Sequence, residues 1–483
     1  MKKEIKGYIT VFLSLILGIM LSLTFTILKA AREQVIKAEI EGVTDISLFS
    51  VFGEYHKELL QRYDLFAIDS GYGGKSNGSS KIEERMHFYM NKNFNKSGED
   101  FISLISGGSD ITRITCDSVS IKEYLLLSDQ EGQVLKDAIL SYMHHKKGTD
   151  LVGNSKRNYT SLSTLEQSSI SIEEQWENMG NEIKRKLEER NNTSEEEVFV
   201  LDSPADYVEA RKAEGPLSLA LPPGKEISGQ IVDKGIYFSQ RTKKKGTIAA
   251  EYKPSVFNQL TAKEYLEEYY FEKCGYYDSE KEGSLLQYQI EYLLHGHKED
   301  KKNLEKTVER ILLIREGINL TYLMANSGKL AEAEVLATLI STACLMPELK
   351  EPLKAVIIFA WCYAESIQDI RILLDGKKAA DVKTDDTWNT PLSQLLSFTS
   401  YLGEYKSPEQ GMSYQDYLQF FLWTKNDREV LFRFMDICEM DLRSLTGNMD
   451  FAMDQCVVML NAASFLSSSY GGDYKITRSR YYE

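Results

Sequence analysis

The chain has 483 residues, of which 42% are hydrophobic, and a formal net charge of −15 at pH 7. This length supplies enough apolar side chains for two or three domains with cores of their own. The negative charge argues against nucleic acid as a partner and against a second, electrostatic attachment to an acidic membrane.

The first predicted element is a membrane-spanning helix over residues 8–28, which carry no charge and no proline. About twenty apolar residues, at ~1.5 Å rise each, cross the ~30 Å hydrocarbon core of a bilayer. The preceding tail, residues 1–7, is basic, and positive residues beside a span are retained in the cytoplasm. We therefore expect a single-pass protein of the cell membrane, with its N-terminus in the cytoplasm and its C-terminal domain extracellular.

A cleaved signal peptide is the alternative interpretation of this segment. Signal peptides have a shorter apolar core and small residues at the cleavage site. Here Lys29 occupies the position where such a site would end, and Ala30 and Ala31 offer a poor substitute. An uncleaved anchor is the preferred interpretation.

Small residues recur every four positions within the predicted span, at Ser14, Gly18, Ser22 and Thr26. Such a ridge lets a second helix approach closely. The ridge predicts helix–helix association in the membrane, with chance recurrence as the alternative.

Beyond the span, apolar residues continue at helical spacing to about Phe66, with Gly42 and Gly53 as plausible bends. Because this stretch is charged, its apolar stripe is expected to lie on the outer domain or on a partner helix. Glycine-rich residues 69–80 end this helical unit. The first α+β region, residues 29–147, is completed by a helix, a strand and a helix, predicted at 81–93, 111–121 and 129–145.

Residues 148–255 are predicted to be a polar insertion or linker, because polar residues dominate and aromatic residues thin out. A polar helix is expected within it at 172–190. Residues 256–483 are predicted to form a mainly helical domain that ends in a β-hairpin around Gly471 and Gly472. Its helices are expected at 301–316, 328–345, 352–375, 414–425 and 428–445.

The predicted fold class is therefore α+β. A long N-terminal transmembrane and amphipathic helix precedes a mixed, mainly helical extracytoplasmic domain with a terminal β-hairpin. The apolar run at 355–364 is ten residues long, which is too short for a second span, and it predicts a buried core helix.

The sequence carries none of the glycine-rich phosphate motifs, nucleophile elbows or zinc-protease motifs that identify many enzymes. The histidine pairs His144–His145 and His295–His297 are interpreted as solvated helix ends rather than metal ligands. The six cysteines lie at least eighteen residues apart, which excludes C-x-x-C motifs. We expect them to be buried as small hydrophobic residues, although an extracellular location would permit disulfides. The sequence predicts no metal site and no cofactor.

The densest polar cluster contains Glu365, Asp369 and Arg371. Glu365 and Asp369 are four residues apart and share one face of a helix. One hypothesis makes them a general acid–base pair. The preferred hypothesis is structural, and pairs one of them with a basic residue of a neighbouring helix, such as Arg315 or Arg443.

Six blocks of sequence resemble a known family. They are GYITVFLSL (7–15), SVFGEYHKELLQRYDLFAIDSGYG (50–73), REGINLTYL (315–323), WCYAESIQDIRILL (361–374), GMSYQDYL (411–418) and MDQCVVML (453–460). The start of the chain resembles a prepilin. The rest resembles membrane proteins linked to the tight-adherence (Flp/Tad) pilus systems of Gram-positive bacteria, which are related to the TadE/TadG-like pseudopilins.

The resemblance implies a membrane-inserted minor pilin or assembly factor, with processing at Gly7 and Tyr8. Prepilins usually carry a glutamate five residues after the processed glycine, where this chain has Phe12. We predict a non-enzymatic, single-pass envelope protein whose partners are the lipid bilayer and other pilus or secretion-system membrane proteins. The alternatives are a membrane-anchored extracellular enzyme that acts on cell-wall material, and a surface adhesin.

Overall fold

The structure is a computed structural model of the chain. It describes residues 5–74, 78–94, 112–147, 159–193, 204–248, 252–254, 257–398 and 406–482. The chain divides into two compact units, and each consists of segments that are separate in sequence. The first unit comprises Met1–Tyr142, Gln240–Val256 and Cys438–Glu483, and the second comprises Met143–Ser239 and Phe257–Ile437.

The first unit begins with α1 (Ile5–Phe52), a single helix of 48 residues. At ~1.5 Å per residue the helix is about 70 Å long. It passes through Gly42 without interruption, so the bend predicted there was wrong. It ends at a turn that contains Gly53, which confirms the bend predicted at that glycine. A short helix, α2 (Lys57–Tyr63), follows the turn.

An antiparallel sheet forms the centre of the first unit. Its strands are β1 (Ile68–Asp69), β2 (Ile114–Leu126), β3 (Cys456–Ser468) and β4 (Asp473–Tyr481). β3 is central and pairs with β2 on one side, and with β4 and β1 on the other. β3 and β4 form the terminal hairpin that the sequence predicts, and both glycines of its turn, Gly471 and Gly472, have a positive φ.

The core of the first unit lies between one face of this sheet, α1 and α3 (Ser80–Phe94). Because side chains alternate across a strand, Leu460, Ala462 and Leu466 of β3 face the helices together. The side chains that meet them from the helices are Ile36, Ile40, Phe52, Ile82, Met86 and Met90. The predicted apolar stripe of α1 therefore lies on the sheet of its own unit.

The second unit is built of helices. They are α5 (Tyr159–Thr193), α6 (Pro204–Lys212), α7 (Pro216–Ala220), α8 (Gln259–Lys273), α9 (Gln289–His295), α10 (Asp300–Ala325), α11 (Ser327–Ala343), α12 (Lys350–Leu374) and α13 (Tyr414–Thr424). Boundaries between the units fall inside two further helices, α4 (Asp129–Lys147) and α14 (Asp427–Arg443). Short 3₁₀ helices are present in the second unit at Lys234–Ile236, Pro347–Leu349 and Leu392–Ser397, and in the first unit at Met453–Gln455.

α12 is the central helix of the second unit and packs against α5, α6, α10 and α11. Its side chains are buried almost without exception from Val356 to Leu374. The prediction that residues 355–364 form a core helix rather than a second span is confirmed. The α+β fold class is confirmed as well, and the five helices predicted after residue 300 begin within two residues of their observed starts.

Candidate functional site: the N-terminal helix and a buried charged cluster

Among the described residues, α1 is the one helix that is long and apolar enough to cross a membrane. Its apolar side chains before Ala30 are exposed, from Tyr8 at 79% to Leu28 at 58%. An exposed, uncharged segment of this length is typical of a helix surrounded by lipid. By length and composition, α1 is a candidate membrane anchor.

The second half of α1 has two different faces. Ile36, Ile40, Val43, Ser47 and Val51 are buried against the first unit. On the opposite side the helix exposes a second series at steps of three and four residues. We call this series the open face, and it consists of Val35, Ala38, Gly42, Ile46 and Phe49. Val35, Ile46 and Phe49 expose 44–61% of their surface, so these apolar groups face outward.

The predicted ridge of small residues lies in the apolar half of α1. At ~100° per residue, Ser14, Gly18, Ser22 and Thr26 point toward the same side of the helix as the buried stripe. The hydroxyl of Ser14 donates to the carbonyl of Val11 at 2.8 Å, and that of Thr26 to the carbonyl of Ser22 at 2.8 Å. These two hydroxyls are therefore bonded within the helix, and the ridge offers close approach rather than hydrogen-bond donors.

Association through this ridge stays a prediction. So does processing at Gly7 and Tyr8, both of which lie in the first turns of α1. Tyr8 is highly exposed.

In the second unit, the structure brings Glu365 and Asp369 together with two cations. Lys383, from the loop after α12, donates to Glu365 and to Oδ1 of Asp369, the latter at 2.7 Å. Arg315 of α10 donates to Oδ2 of Asp369 through Nε at 3.0 Å and Nη2 at 2.8 Å. All four side chains are at most 1% exposed. We call Arg315, Glu365, Asp369 and Lys383 the buried charged cluster.

Backbone and amide groups complete the coordination of both carboxylates. The backbone N–H groups of Asn389 and Thr390 donate to Glu365 at 2.9 and 2.8 Å. The side-chain amide of Asn319 donates to Asp369 at 3.0 Å. Burial alone would raise the pKa of Asp369, but Arg315 and Lys383 hold that pKa below its usual value. Burial raises the pKa of Glu365, although Lys383 opposes the rise. Both carboxyl groups are sealed from solvent and cannot exchange protons with a substrate, so this geometry favours the structural hypothesis.

The pairing predicted for this site is confirmed for Arg315. Arg443 instead pairs with Glu439, at 2.9 Å in the first unit. Arg371 lies two residues after Asp369, and therefore on the opposite side of α12. It donates to the carbonyl of Leu219 at 2.7 Å and to Gln368 at 3.3 Å. The predicted trio of Glu365, Asp369 and Arg371 thus occupies two faces of the helix.

Two cations of buried ion-pair networks were not apparent from the sequence. Lys383 lies in a polar segment without helical periodicity, and only the return of that loop across α12 brings it to Glu365. In the first unit, Arg241 donates to both carboxylate oxygens of Asp454 at 2.6 Å and to Glu439 at 2.6 Å. Its segment is rich in lysine and resembles a solvated loop, so no local signal distinguishes it.

The histidines differ from one another in exposure. His144 and His145 are exposed near the end of α4, as expected. His295 ends α9 but is largely buried, so the prediction that it is solvated was wrong. Burial, with Arg310 and Lys425 nearby, lowers the pKa of His295 to about 3. Within the described ranges, no group of three or more His, Cys, Asp or Glu side chains is placed to hold a metal ion.

Comparison with known proteins places the chain in a family. Residues 192–468 match a family of unknown function, DUF5702, over more than half of the chain. The chain therefore belongs to this family. No curated protein and no solved structure matches it.

Proposed function

We propose that this member of the family is a non-enzymatic, single-pass envelope protein. In this proposal α1 spans the cell membrane with its N-terminus in the cytoplasm, and both units lie outside the cell. The protein acts by position, as a pseudopilin-like component or assembly factor of a tight-adherence pilus or a related secretion system.

The observation that carries the proposal is the continuity of α1. One helix of 48 residues joins an apolar segment to the core of the first unit, and the buried stripe makes the joint rigid. A helix that is fixed at one end in lipid and at the other in a folded core holds that core at a defined distance from the bilayer. Such a device suits a protein that presents a surface to partners.

The open face supports the second part of the proposal. Five exposed residues, none of them charged, lie along about 20 Å of α1 beyond the predicted span, and the last of them, Phe49, is contacted on one side by Arg480. Apolar stripes at this spacing are typical of surfaces that receive another helix. The resemblance to pseudopilins supplies the class of partner, namely membrane proteins of a pilus or secretion system.

The buried charged cluster supports a structural rather than an enzymatic role. Its carboxylates were the best candidates for acid–base chemistry, and every one of their oxygens accepts a hydrogen bond from the protein. We therefore assign this cluster to the stability of the second unit.

Protease protection tests the topology. Protease added to intact protoplasts should digest both units and leave a fragment of α1 in the membrane, and carbonate washing should leave the full chain there. Survival of the full-length chain under protease, or its release by carbonate, would contradict the anchor.

Site-specific photocrosslinking tests the partner. A photoreactive amino acid at Ala38 of the open face should crosslink in cells to a pilus or secretion-system membrane protein, identified by mass spectrometry. The matched control is Lys37, which is exposed but points ~100° away from Ala38. The proposed partner would be contradicted if both positions gave the same crosslinked proteins. It would also be contradicted if Ala38 gave no crosslink to a pilus or secretion-system protein.

A further inference from the structure

The strands of the first unit run alongside α1, and the turn of the terminal hairpin lies at the end next to the apolar segment. Contacts between the hairpin and α1 follow in order along both elements. They are Arg32 with Tyr470 (4.1 Å from guanidinium to ring centre), Asp45 with Arg478 (3.1 Å), Phe49 with Arg480 (4.7 Å) and Phe52 with Tyr482 (4.8 Å between ring centres). Tyr470 and the turn it belongs to are therefore the part of the sheet nearest the predicted span.

The depth of this turn follows from helix geometry, and rests on the proposed function in that α1 must span the membrane. Arg32 is four residues after Leu28, which is about 6 Å along the helix axis. The headgroup layer on each side of a bilayer is about 5–8 Å thick. Tyr470, stacked on Arg32, is thus placed at the level of the lipid headgroups.

The side chains at this end suit that layer. Arg32 and Arg113 both lie over the ring of Tyr470, at 4.1 and 5.5 Å, and the ring itself is 44% exposed. Arginine and tyrosine, with an apolar body and a polar tip, are favoured at membrane interfaces.

The local charge at this end differs from that of the whole chain. Among the residues that the structure describes there, the positive charges are Lys29, Arg32 and Arg113, and the negative charges are Glu33 and Asp473. Lys475 and Asp117, one step farther along the sheet, carry opposite charges. The net charge of −15 does not decide the outcome here, because acidic residues beyond a Debye length of about 8 Å are screened.

We propose that Tyr470, Arg32 and Arg113 bind the anionic headgroups of the lipids around α1. The contact gives the first unit a second attachment beside the span, and so fixes its tilt on the membrane. The occupant is a lipid surface, since the site is a shallow cluster at a defined distance from the span rather than an enclosed pocket.

A fluorescent reporter beside Tyr470 tests this contact in the full-length protein. All six native cysteines are buried, so a dye reacts selectively with Ser469→Cys, an exposed position next to Tyr470. The control label is Ser479→Cys, exposed on β4 and ten residues farther along the hairpin. Each protein is reconstituted into vesicles of phosphatidylcholine alone or mixed with phosphatidylglycerol, with a headgroup-linked quencher.

We expect quenching at Ser469→Cys to exceed that at Ser479→Cys, and to rise about twofold or more when phosphatidylglycerol is present. High salt should remove the rise. Arg32→Gln combined with Arg113→Gln should abolish it, whereas Arg478→Gln combined with Arg480→Gln should leave it intact. Unfolding midpoints of the four proteins confirm that each is folded.

Equal quenching in both lipid mixtures would overturn the proposal, and so would a lipid dependence that survives loss of Arg32 and Arg113. Flotation of the same vesicles after carbonate treatment separates this proposal from the proposed function. Protein that does not float refutes the anchor and this contact together. Protein that floats but is not quenched at Ser469→Cys refutes the contact alone.

Discussion

Lys383 pairs with two buried carboxylates, Glu365 and Asp369, and Arg315 supplies the second positive charge of the cluster through Asp369. Replacement by methionine would leave Glu365 buried without a cation. Removing one partner of a buried ion pair typically costs about 3–5 kcal/mol. We expect Lys383→Met to reduce the free energy of unfolding by about that amount, measured by urea titration of the full-length protein in detergent with circular dichroism.

Lys377 provides the matched control, because its side chain is 49% exposed and pairs with Asp375 at 2.8 Å. Exposed ion pairs contribute about 0–1 kcal/mol. Lys377→Met should therefore have little effect. Similar losses in the two variants would show that burial of the cluster does not govern its energy.

Glu316 of α10 makes the stability of the second unit depend on pH. Burial raises its pKa to about 8, with Lys212 opposing and Glu173 adding to the rise. The unfolded chain loses this proton near pH 4.5, so between about pH 4.5 and 8 the folded state binds more protons. The contribution of Glu316 to stability is therefore full below that window and is lost as the pH rises through it.

Glu316→Gln, which is neutral at every pH, tests this dependence. We expect its unfolding temperature, relative to the unmodified protein, to increase from about pH 5.5 to about pH 8. Glu282→Gln, at an exposed carboxylate, should leave the difference constant. An unchanged pH profile in Glu316→Gln would mean that this carboxyl group titrates normally.

Single residues were predictable where a local pattern constrains them. Glu365 and Asp369 share a face of an apolar helix, and buried carboxylates need a cation. This requirement predicted Arg315 as a partner. Lys383 was not predictable, because it lies 14 residues beyond Asp369 in a loop whose path depends on the tertiary fold. The burial of His295 was also missed. Helix ends are commonly solvated, and only the tertiary fold shows that this one is covered.

Among the elements, the turn after β1 depends on one glycine. The carboxylate of Asp69 accepts from the backbone N–H groups of Gly71 and Gly73, both at 2.9 Å. A Cβ atom at Gly71 would lie 2.6 Å from the side-chain oxygen of Gln455 and 2.5 Å from the carbonyl of Gly74. We expect Gly71→Ala to destabilise the first unit by about 1–3 kcal/mol in urea titrations.

Gly42 gives the opposite expectation for the same substitution. It lies inside α1, and an added Cβ atom would meet nothing within 4 Å. Alanine is favoured over glycine in a helix by about 1 kcal/mol, so Gly42→Ala should stabilise the protein slightly. The same sign of effect at both positions would contradict this account of the two glycines.

Helices of this chain were predictable because their apolar residues recur at helical spacing. The capping box of Ser413 and Asp416, which opens α13, is present in the structure. The partners of the strands were not predictable. Ile114 of β2 pairs with Ser468 of β3, 354 residues later, and no periodicity in either strand specifies the other.

At the scale of the whole molecule, the six cysteines are all buried thiols. The proposed extracellular location would permit disulfides. Whether the cysteines are thiols or disulfides therefore tests the fold. A maleimide should modify none of them in the native protein and six in denaturant, measured by intact mass. A reductant should leave the unfolding midpoint unchanged, and a mass deficit from disulfides would contradict the structure.

Domain organisation was the least predictable property. Composition predicted domain boundaries near residues 147 and 255. Composition shows where polar residues concentrate, but it does not show which segments share a core. The contacts of residues 240–256 illustrate the difference. Arg241 pairs with Asp454, and the backbone N–H of Gly246 donates to Asp129 at 2.9 Å. Both of the other segments of the first unit therefore contact this one.

The central position of β3 has a consequence for biosynthesis. Its neighbours β1 and β2 leave the ribosome more than 300 residues earlier. They lack their pairing partner until the entire second unit has been synthesised. Until Cys456–Ser468 has emerged, the sheet cannot close, and the inner faces of α1 and α3 stay uncovered. A premature stop codon just before Cys456 would therefore be as damaging to the first unit as one placed hundreds of codons upstream.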